Sequence, residues 1–385
     1  MCARRTCVNW MSYAIDLAKK GRHTCPPNPA VGCVIIKDNQ LVGQGFHRVT
    51  GGPHAEIIAL EQAQEHARKA DVYLTLEPCA HFGRTPPCVD ALIRAGVKRV
   101  FVAATDPNPK VKAQGLKKLR DAGIEAVLGN YQEAYDLNED FFHAMRHKRP
   151  FVIAKWAMSL DGKIANSQAK SKWITSIPAR AHAHALRAQV CAIMVGARTV
   201  RLDNPMLTVR HNVDERLVRQ PRPIIVSKSG QIPLDSHVLQ SERRPIVITS
   251  AHASSACLKE FDNKNIEYYI FKLINNKFCM KAVLEKLFIS CELKNILAEG
   301  GSELLTSLHE EKLINQIYAY IAPKLIGGSN SLTPILGVDL KEPAHFEELH
   351  SQELINLEPD ICLKAKTSIS PRSYEEFLQS CDDYV

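Results

Sequence analysis

His54-Ala55-Glu56 is followed by Pro78-Cys79 and, after eight further residues, by Cys88, giving the pattern H-x-E…P-C-x8-C. One imidazole and two thiolates supply three ligands for a tetrahedral zinc ion. They leave its fourth position to water, as a catalytic site requires and a closed structural site does not. Zinc lowers the pKa of such a water to about 7, so hydroxide exists at neutral pH. A carboxylate two residues beyond the histidine is not needed as a ligand. At the start of the same helix it can take the water's proton and hand it to a departing amine. The expected metal ligands are therefore His54, Cys79 and Cys88, with Glu56 as the proton shuttle. A chain with 15 His and 12 Cys can also hold such residues as ordinary core, so the surroundings must decide.

Val72-Tyr73-Leu74-Thr75-Leu76 alternates as a buried strand does, and Glu77-Pro78-Cys79 ends it with a proline that stops the ladder. Thr85-Pro86-Pro87-Cys88 opens an apolar-periodic helix through Leu92, Ile93 and Ala95, with proline just inside its start. Cys88 then falls in the first turn, where the helix dipole favours a thiolate. His54 begins another helical run through Ala55, Ile57, Ile58, Leu60 and Ala63. All three ligands fall where strand ends and helix starts converge. The pattern is a close relative of the zinc-deaminase signature H-x-E…P-C-x-x-C.

At 385 residues the chain exceeds what one core usually serves, and 45% apolar residues suffice for two domains. No apolar run reaches the roughly 18 residues of a membrane span, and no secretory h-region follows the charged N-terminus. The expectation is a cytoplasmic protein without a membrane partner. The other cysteines are scattered singly, unlike a secreted disulfide scaffold, and read as reduced thiols. The net charge of +8 is concentrated before residue 150, partly in Lys110, Lys112, Lys117, Lys118 and Arg120 on a surface helix. No aromatic platforms interleave these charges, so they read as a solvated face rather than a nucleic-acid patch. A modest positive field suits a small phosphorylated substrate.

Helices and strands alternate to about residue 130, as in a sheet with helices on its faces. A polar helix over Gln132–Met145 leads to His147-Lys148-Arg149-Pro150, the expected boundary between domains 1–148 and 149–385. Strand-like runs then resume at Phe151–Met158, Ala192–Val195, Pro223–Val226, Ile246–Thr249, Tyr268–Phe271, Ile296–Leu297 and Ile317–Ile321. Asn295-Ile296-Leu297-Ala298-Glu299-Gly300-Gly301-Ser302 reads as strand, glycine turn and helix start. Such a turn lets backbone amides approach a phosphate, and an ordinary strand-to-helix turn satisfies the same spelling.

Asn28-Pro29-Ala30-Val31-Gly32, Pro53-His54-Ala55-Glu56 and the segment Leu76–Cys88 together resemble the deaminase half of the bifunctional riboflavin-biosynthesis deaminase/reductase family. The second half is similar to its reductase partner through Ser159-Leu160-Asp161-Gly162-Lys163, Ser171-Lys172-Trp173-Ile174-Thr175, Asp203–Arg210, Glu299-Gly300-Gly301 and Ile321-Ala322-Pro323-Lys324. The resemblance covers about residues 8 to 365.

It implies an α/β chain of two domains, a cytidine-deaminase-like three-layer α/β/α domain followed by a dihydrofolate-reductase-like one. The first would hydrolyse the 2-amino group of 2,5-diamino-6-ribosylamino-4(3H)-pyrimidinone 5′-phosphate. The second would use NADPH to reduce the ribosyl group to ribityl. The resemblance assigns Asn28, His47, His81 and Arg84 to the deaminase substrate. It gives Ala157, Trp173, Thr199, Asp203, Gly300, Gly301 and Ser302 to NADPH, and Ser171, Arg187, Leu207, Arg210 and Glu299 to the reductase substrate. Reduction also needs a proton donor, for which Lys155, Asp161 and Glu299 are the ionisable candidates. Two departures weigh on NADPH use: Arg198 in Gly196-Ala197-Arg198-Thr199-Val200, and Ser227-Lys228 where Asp-Ser is usual. A homo-oligomer is the expected assembly. The rival readings are a tRNA base deaminase with a non-catalytic second domain, and a zinc-stabilised protein without activity. The first has no use for a reductase-like half and the second none for Glu56.

Overall fold

The apolar runs up to residue 128 pair into one five-stranded sheet. Along the chain come α1 (Trp10–Lys19), β1 (Gly32–Lys37), β2 (Gln40–Phe46), α2 (Ala55–Ala63), β3 (Asp71–Leu74), α3 (Cys88–Ala95), β4 (Arg99–Val102), α4 (Gln114–Asp121) and β5 (Glu125–Leu128). The strand order is β2-β1-β3-β4-β5, with β1 antiparallel to both neighbours and β3, β4 and β5 parallel. The structure is a computed structural model that describes residues 9–80, 82, 86–108, 113–169, 172–210, 219–336, 347–371 and 373–382.

Helices cover both faces. Ala59, Ala63, Val89, Leu92, Leu116 and Leu119 from α2, α3 and α4 are buried with Val72, Leu74, Val100 and Val102. On the other face Ala14 and Leu17 of α1 pack on Val34 and Ile36.

Of the helical run Ala55, Ile57, Ile58, Leu60 and Ala63, the small residues Ala55 and Ala63 are buried, together with Glu56 and Ala59, while Ile57, Ile58 and Leu60 are half-buried. The cause lies in β2. A Cβ on Gly43 would stand 2.3 Å from the Ala59 carbonyl oxygen, and one on Gly45 2.4 Å from that of Ala55. Helix backbone therefore rests on strand backbone, and only small side chains fit the contact. This holds the start of α2, with His54 and Glu56, against the sheet.

The single helix expected over Gln132–Met145 is two, α5 (Gln132–Leu137) and α6 (Glu139–His147). They part at buried Asn138, whose Oδ1 accepts from the Ala30 N–H at 2.7 Å while its Nδ2 donates to the Ala30 carbonyl at 2.9 Å. A side chain that serves another backbone segment this way competes with continuing its own helix.

The chain divides into two units, one of residues up to Arg146 together with those from Ser373 onward, the other His147–Arg372. The second contains β6 (Phe151–Ser159), α7 (Ile177–Arg187), β7 (Ala192–Gly196), α8 (Ala197–Asp203), β8 (Arg222–Val226), β9 (Ile246–Ser250), α9 (Ser255–Asn263) and β10 (Glu267–Phe271). It continues through β11 (Leu273–Ile274), β12 (Lys277–Phe278), α10 (Met280–Cys291), β13 (Asn295–Ala298), α11 (Ser302–Glu310), β14 (Gln316–Ala322), β15 (His350–Leu357) and β16 (Asp360–Lys366). Nine strands form one sheet in the order β10-β9-β8-β7-β13-β6-β14-β16-β15. All neighbours are parallel up to β14, while β16 and β15 are added antiparallel. Leu284, Leu287, Leu304 and Leu305 from α10 and α11 are buried on one face, and Ala179, Ala183, Leu186 and Phe261 from α7 and α9 on the other.

A last helix, α12 (Tyr374–Asp382), belongs to the first unit. Tyr374 and Phe377 bury themselves against Tyr135 and Phe142, with the Tyr135 and Tyr374 rings stacked at 5.2 Å. The sequence reading gave residues 149–385 to the second domain; the aromatic residues of α12 take it back to the first. Among the described residues no helix is long and apolar enough to cross a membrane.

Candidate active sites

In the first unit, β3 leaves the sheet through Thr75, whose hydroxyl accepts from the Gly32 N–H at 3.0 Å. Glu77 then anchors the descent. Its Oε2 accepts from the amides of Asp106 and Ala113 at 3.2 and 3.1 Å, and its Oε1 from those of Gly115 and Leu116 at 3.0 and 3.2 Å. This buried carboxylate satisfies the free amides at the start of α4, and Pro78 and Cys79 follow it directly. Glu77 was missed in the sequence. The signal was available, because an acidic residue closing a buried strand needs a partner. Nearby Asp106 is pushed up to about 7 by burial, against the stabilising Asn108 amide.

His54 is the N-cap of α2, in extended conformation. Cys88 is the first residue of α3, and Pro87 stands one place earlier than expected, at the N-cap. The ligand atoms of His54, Cys79 and Cys88 all lie within 4.8 Å of one another. His54 Nδ1 is 3.1 Å from Cys88 Sγ and 3.7 Å from Cys79 Sγ. Legs of about 2.0 Å to nitrogen and 2.3 Å to sulfur at tetrahedral angles give edges of roughly 3.5 Å, so the set fits zinc in both donor type and spacing.

The two thiols differ. Hydrogen bonds from Cys88, including its backbone N–H at 3.2 Å, lower Cys79 to about 4 in spite of burial, and His54 adds to the effect. Cys88 is raised well above the usual thiol range, by its bond to Cys79 and by burial. Cys88 stands in the first turn of α3, as the sequence predicts, and its backbone N–H is directed at Cys79 Sγ.

Glu56 is 4% exposed, and burial lifts its carboxyl above the ordinary glutamate range, with His54 opposing. His47 is buried beside His54, the rings edge to face at 5.6 Å. Burial lowers its pKa, so the ring is neutral, donating from Nδ1 to the Pro53 carbonyl at 3.1 Å and accepting at Nε2 from the Asn28 amide at 3.1 Å. Asn28, His47, His54 and Glu56 are thus brought to one place. His81 and Arg84 lie outside the described residues.

In the second unit an ionisable cluster gathers at the carboxyl end of β13, where open α/β sheets commonly bind ligands. Glu299 follows β13 and receives Arg187 of α7 through Nε at 2.6 Å and Nη2 at 2.8 Å, and Lys155 Nζ of β6 at 3.3 Å. Burial opposes its charge, yet Arg187 and Lys155 hold it far below the usual carboxylate range. Arg187 also donates to the Thr208 carbonyl at 3.0 Å, beside buried Leu207. The Arg210 side chain turns to Met206, while its backbone N–H donates to His184. Asp161 is elsewhere. The Ser159 hydroxyl and the Ile326 and Gly327 amides bind its carboxylate and bring it down to about 2, which suits a loop anchor rather than a proton donor. Ser171 lies outside the described residues.

Thr199 of α8 meets the glycine turn, with its Oγ1 3.5 Å from where a Cβ on Gly301 would lie. Gly300 has a packing reason of its own, since its Cβ would press on Leu304 at 2.8 Å. Gly301 is the N-cap of α11 and offers no side chain to its free amides, and the Ser302 hydroxyl is occupied by the Thr333 carbonyl. Uncapped amides beside an open glycine suit a phosphate. Ala157 lies opposite Tyr320 in the sheet, and Lys172 Nζ reaches the Asp203 carbonyl at 3.4 Å. Trp173 is 66% exposed with the Arg180 guanidinium 4.5 Å over its ring, so it is not core. Arg198 is exposed, and Ser227 is buried, with its N–H donating to Ile248 of β9.

Two family descriptions match the chain: the cytidine and deoxycytidylate deaminase zinc-binding region over residues 5–104, and the RibD C-terminal domain over residues 150–363. A riboflavin biosynthesis protein RibD from Aquifex aeolicus is 44% identical over 326 residues, 84% of this chain and 89% of that protein. The structure of Acinetobacter baumannii RibD superposes with a TM-score of 0.86 at 38% identity, covering 93% of this chain and 98% of that one. A Thermotoga maritima structure, described as a diaminohydroxyphosphoribosylaminopyrimidine deaminase/5-amino-6-(5-phosphoribosylamino)uracil reductase, gives 0.77 at 33% identity over 93% and 97% of the two chains.

Proposed function

We propose, for a chain that belongs to the RibD family of bifunctional riboflavin-biosynthesis deaminase/reductases, that its two sites act in turn on one phosphorylated pyrimidine. The first is the zinc-dependent deaminase and the second the NADPH-dependent reductase of that family. The substrate of the first step is 2,5-diamino-6-ribosylamino-4(3H)-pyrimidinone 5′-phosphate, and its deaminated product is the substrate of the second. The observation that carries the reading is the meeting of His54, Cys79 and Cys88 with buried Glu56.

His54, Cys79 and Cys88 would hold zinc, which would supply a water acidified for attack on the amidine carbon. Glu56 takes one proton from that water and gives it to the ring nitrogen, then passes the second to the leaving amine, which departs as ammonia. Its raised proton affinity suits both directions. Asn28 and His47 orient the pyrimidine next to His54, joined by His81 and Arg84. Atoms balance as water in, ammonia out and a carbonyl in place of the amine.

In the reductase, NADPH, when bound, would supply the hydride for the ribosyl carbon. Ala157, Trp173, Thr199, Asp203 and the Gly300-Gly301-Ser302 turn hold that cofactor, while Ser171, Arg187, Leu207, Arg210 and Glu299 face the substrate. Neither Glu299 nor Asp161 has a proton to give, since their partners keep them ionised. Lys155 is the donor: an N–H bond of its ammonium breaks as the nitrogen or oxygen beside the reduced carbon gains the proton. Glu299 and Arg187 fix where that ammonium stands.

The thiols of Cys33, Cys257, Cys279, Cys291 and Cys362, outside any disulfide, support a reducing, cytoplasmic compartment. A homo-oligomer is supported by β15, an edge strand whose Leu354 is 67% exposed; light scattering on the purified chain tests it. The activity test gives the zinc-loaded chain the diaminopyrimidine phosphate. Ammonia should appear without NADPH, and NADPH should be consumed only after it. A chain that releases no ammonia, but binds tRNA with steep salt dependence, would return the tRNA deaminase reading.

A further inference from the structure

Lys155 is approached from behind by residues to which no role has been given. β14 runs beside β6 with Tyr318 opposite Lys155 and Tyr320 opposite Ala157. Lys155 Nζ stands 5.9 Å from the centroid of the Tyr320 ring. Tyr320 is 1% exposed, too enclosed for a substrate contact. Its hydroxyl is 2.8 Å from Nδ1 of His182 on α7, and the Cys362 thiol of β16 is a further neighbour.

Charge counting shows why the ring matters. Glu299 is the one carboxylate shared by Arg187 and Lys155, so one positive charge in this buried group lacks a partner of its own. Arg187 takes the shorter, two-pronged contact. An aromatic face carries a negative quadrupole that attracts a cation within about 6 Å of its centroid, and Tyr320 offers the only such face recorded for Lys155 among the described residues. A phenylalanine would supply that face without a hydroxyl to satisfy. The hydroxyl has a purpose if it pins the ring to α7 through His182.

We propose that Tyr320, fixed by His182, is a positioning residue of the reductase, its ring face holding the Lys155 ammonium where it delivers its proton. This rests on reading Lys155 as the donor. It adds two residues, on β14 and α7, that touch neither substrate nor cofactor.

The test is a double-mutant cycle on the full-length, zinc-loaded chain, reading NADPH oxidation with the deaminated substrate. Tyr320→Leu removes the face and should lower kcat about 10-fold, within the roughly 2- to 30-fold that a cation–π contact is worth, with both KM values within about twofold. Tyr320→Phe keeps the face and should stay within about threefold of wild type. In a Lys155→Met background, the residual slow turnover should be unchanged by Tyr320→Leu, because interacting residues are not additive. The same factor lost in both backgrounds makes Tyr320 merely structural and overturns the proposal. Equal losses from Tyr320→Phe and Tyr320→Leu overturn it too, by shifting the effect from face to hydroxyl. Undiminished kcat in Lys155→Met alone refutes the donor reading underneath. If the leucine variant does not fold, His182→Ala replaces it: about threefold lost in the wild-type background and nothing in Lys155→Met supports the proposal, and equal losses overturn it.

Discussion

Glu56 in the deaminase unit and Glu299 in the reductase unit are both buried glutamates, and their surroundings drive them in opposite directions. Burial is the largest influence on each. Around Glu56 one imidazole opposes it, Cys79 reinforces it, and the carboxyl ends up holding its proton more tightly. Around Glu299 a guanidinium at 2.6 Å and an ammonium at 3.3 Å overcome it. At an effective dielectric of about 20, a unit charge at such distances is worth on the order of 5 kcal/mol, and two of them exceed the desolvation cost. The difference separates a carboxyl fit to hold a proton from a carboxylate that holds other groups in place.

The comparison breaks most visibly at the metal. Cys79→Ser and Cys88→Ser should each lose zinc and with it all measurable ammonia release, because a hydroxyl is a far less readily ionised ligand than a thiol. Full zinc content by metal analysis in either variant would remove the three-ligand reading. Glu56→Gln should keep zinc and lose deamination by ~10²–10⁴-fold or more, while NADPH oxidation with the deaminated substrate stays as in wild type. Near-normal ammonia release from it would deprive Glu56 of its role.

Glu299→Gln should act on stability as well as turnover. It strands Arg187 and Lys155 in a buried place, and breaking such a group by removing one partner costs about 3–5 kcal/mol. Glu56→Gln removes a carboxyl that burial already penalises and should leave melting unchanged or slightly higher. Calorimetry that ranks the two variants the other way would undo the contrast.

Acid sharpens it further. The folded-state pKa of Glu299 lies below the ordinary value of 4.5. Its stabilisation is therefore complete above about pH 4.5 and is lost as pH falls toward the folded value. Wild type should lose melting temperature in this acid range, and Glu299→Gln should show a flatter acid limb. Parallel acid limbs for the two proteins would contradict the ion-pair account. The smallest effect belongs to Asn138→Ala, which leaves both backbone groups of Ala30 unpaired and should cost about 1–3 kcal/mol. Deaminase KM should rise with it, as Asn28 lies two residues away.

The meeting of His54, Cys79 and Cys88 was legible because metal chemistry dictates both residue types and spacing: H-x-E at a helix start and P-C after a strand leave few alternative geometries. The strands of both units could be read where apolar runs were short and bounded. β15 could not, since His350–Leu357 is a mostly exposed edge strand without the alternation of a half-buried one. Which members of the α2 run go deepest could not be read, because its packing depends on Gly43 and Gly45 of another element, which admit only the alanines. The Lys155 and Glu299 pairing joins residues 144 positions apart. Only the lysine inside an apolar strand hinted that a buried partner must exist. Asn138 looked like one more polar residue in a polar helix until its reach to Ala30 was visible.

The helix α12 ties the order of synthesis to the order of folding. A chain emerging from the ribosome presents residues up to Arg146 first, but Tyr135 and Phe142 find Tyr374 and Phe377 only after the whole second unit has been made. At roughly 5–20 residues per second, the first unit waits tens of seconds with part of its aromatic core open. A premature stop just after Arg372 would therefore spare every residue assigned to the reductase while leaving the deaminase unit short of its last helix. A mutation downstream of the reductase segment would then appear as a defect in the deaminase encoded upstream of it.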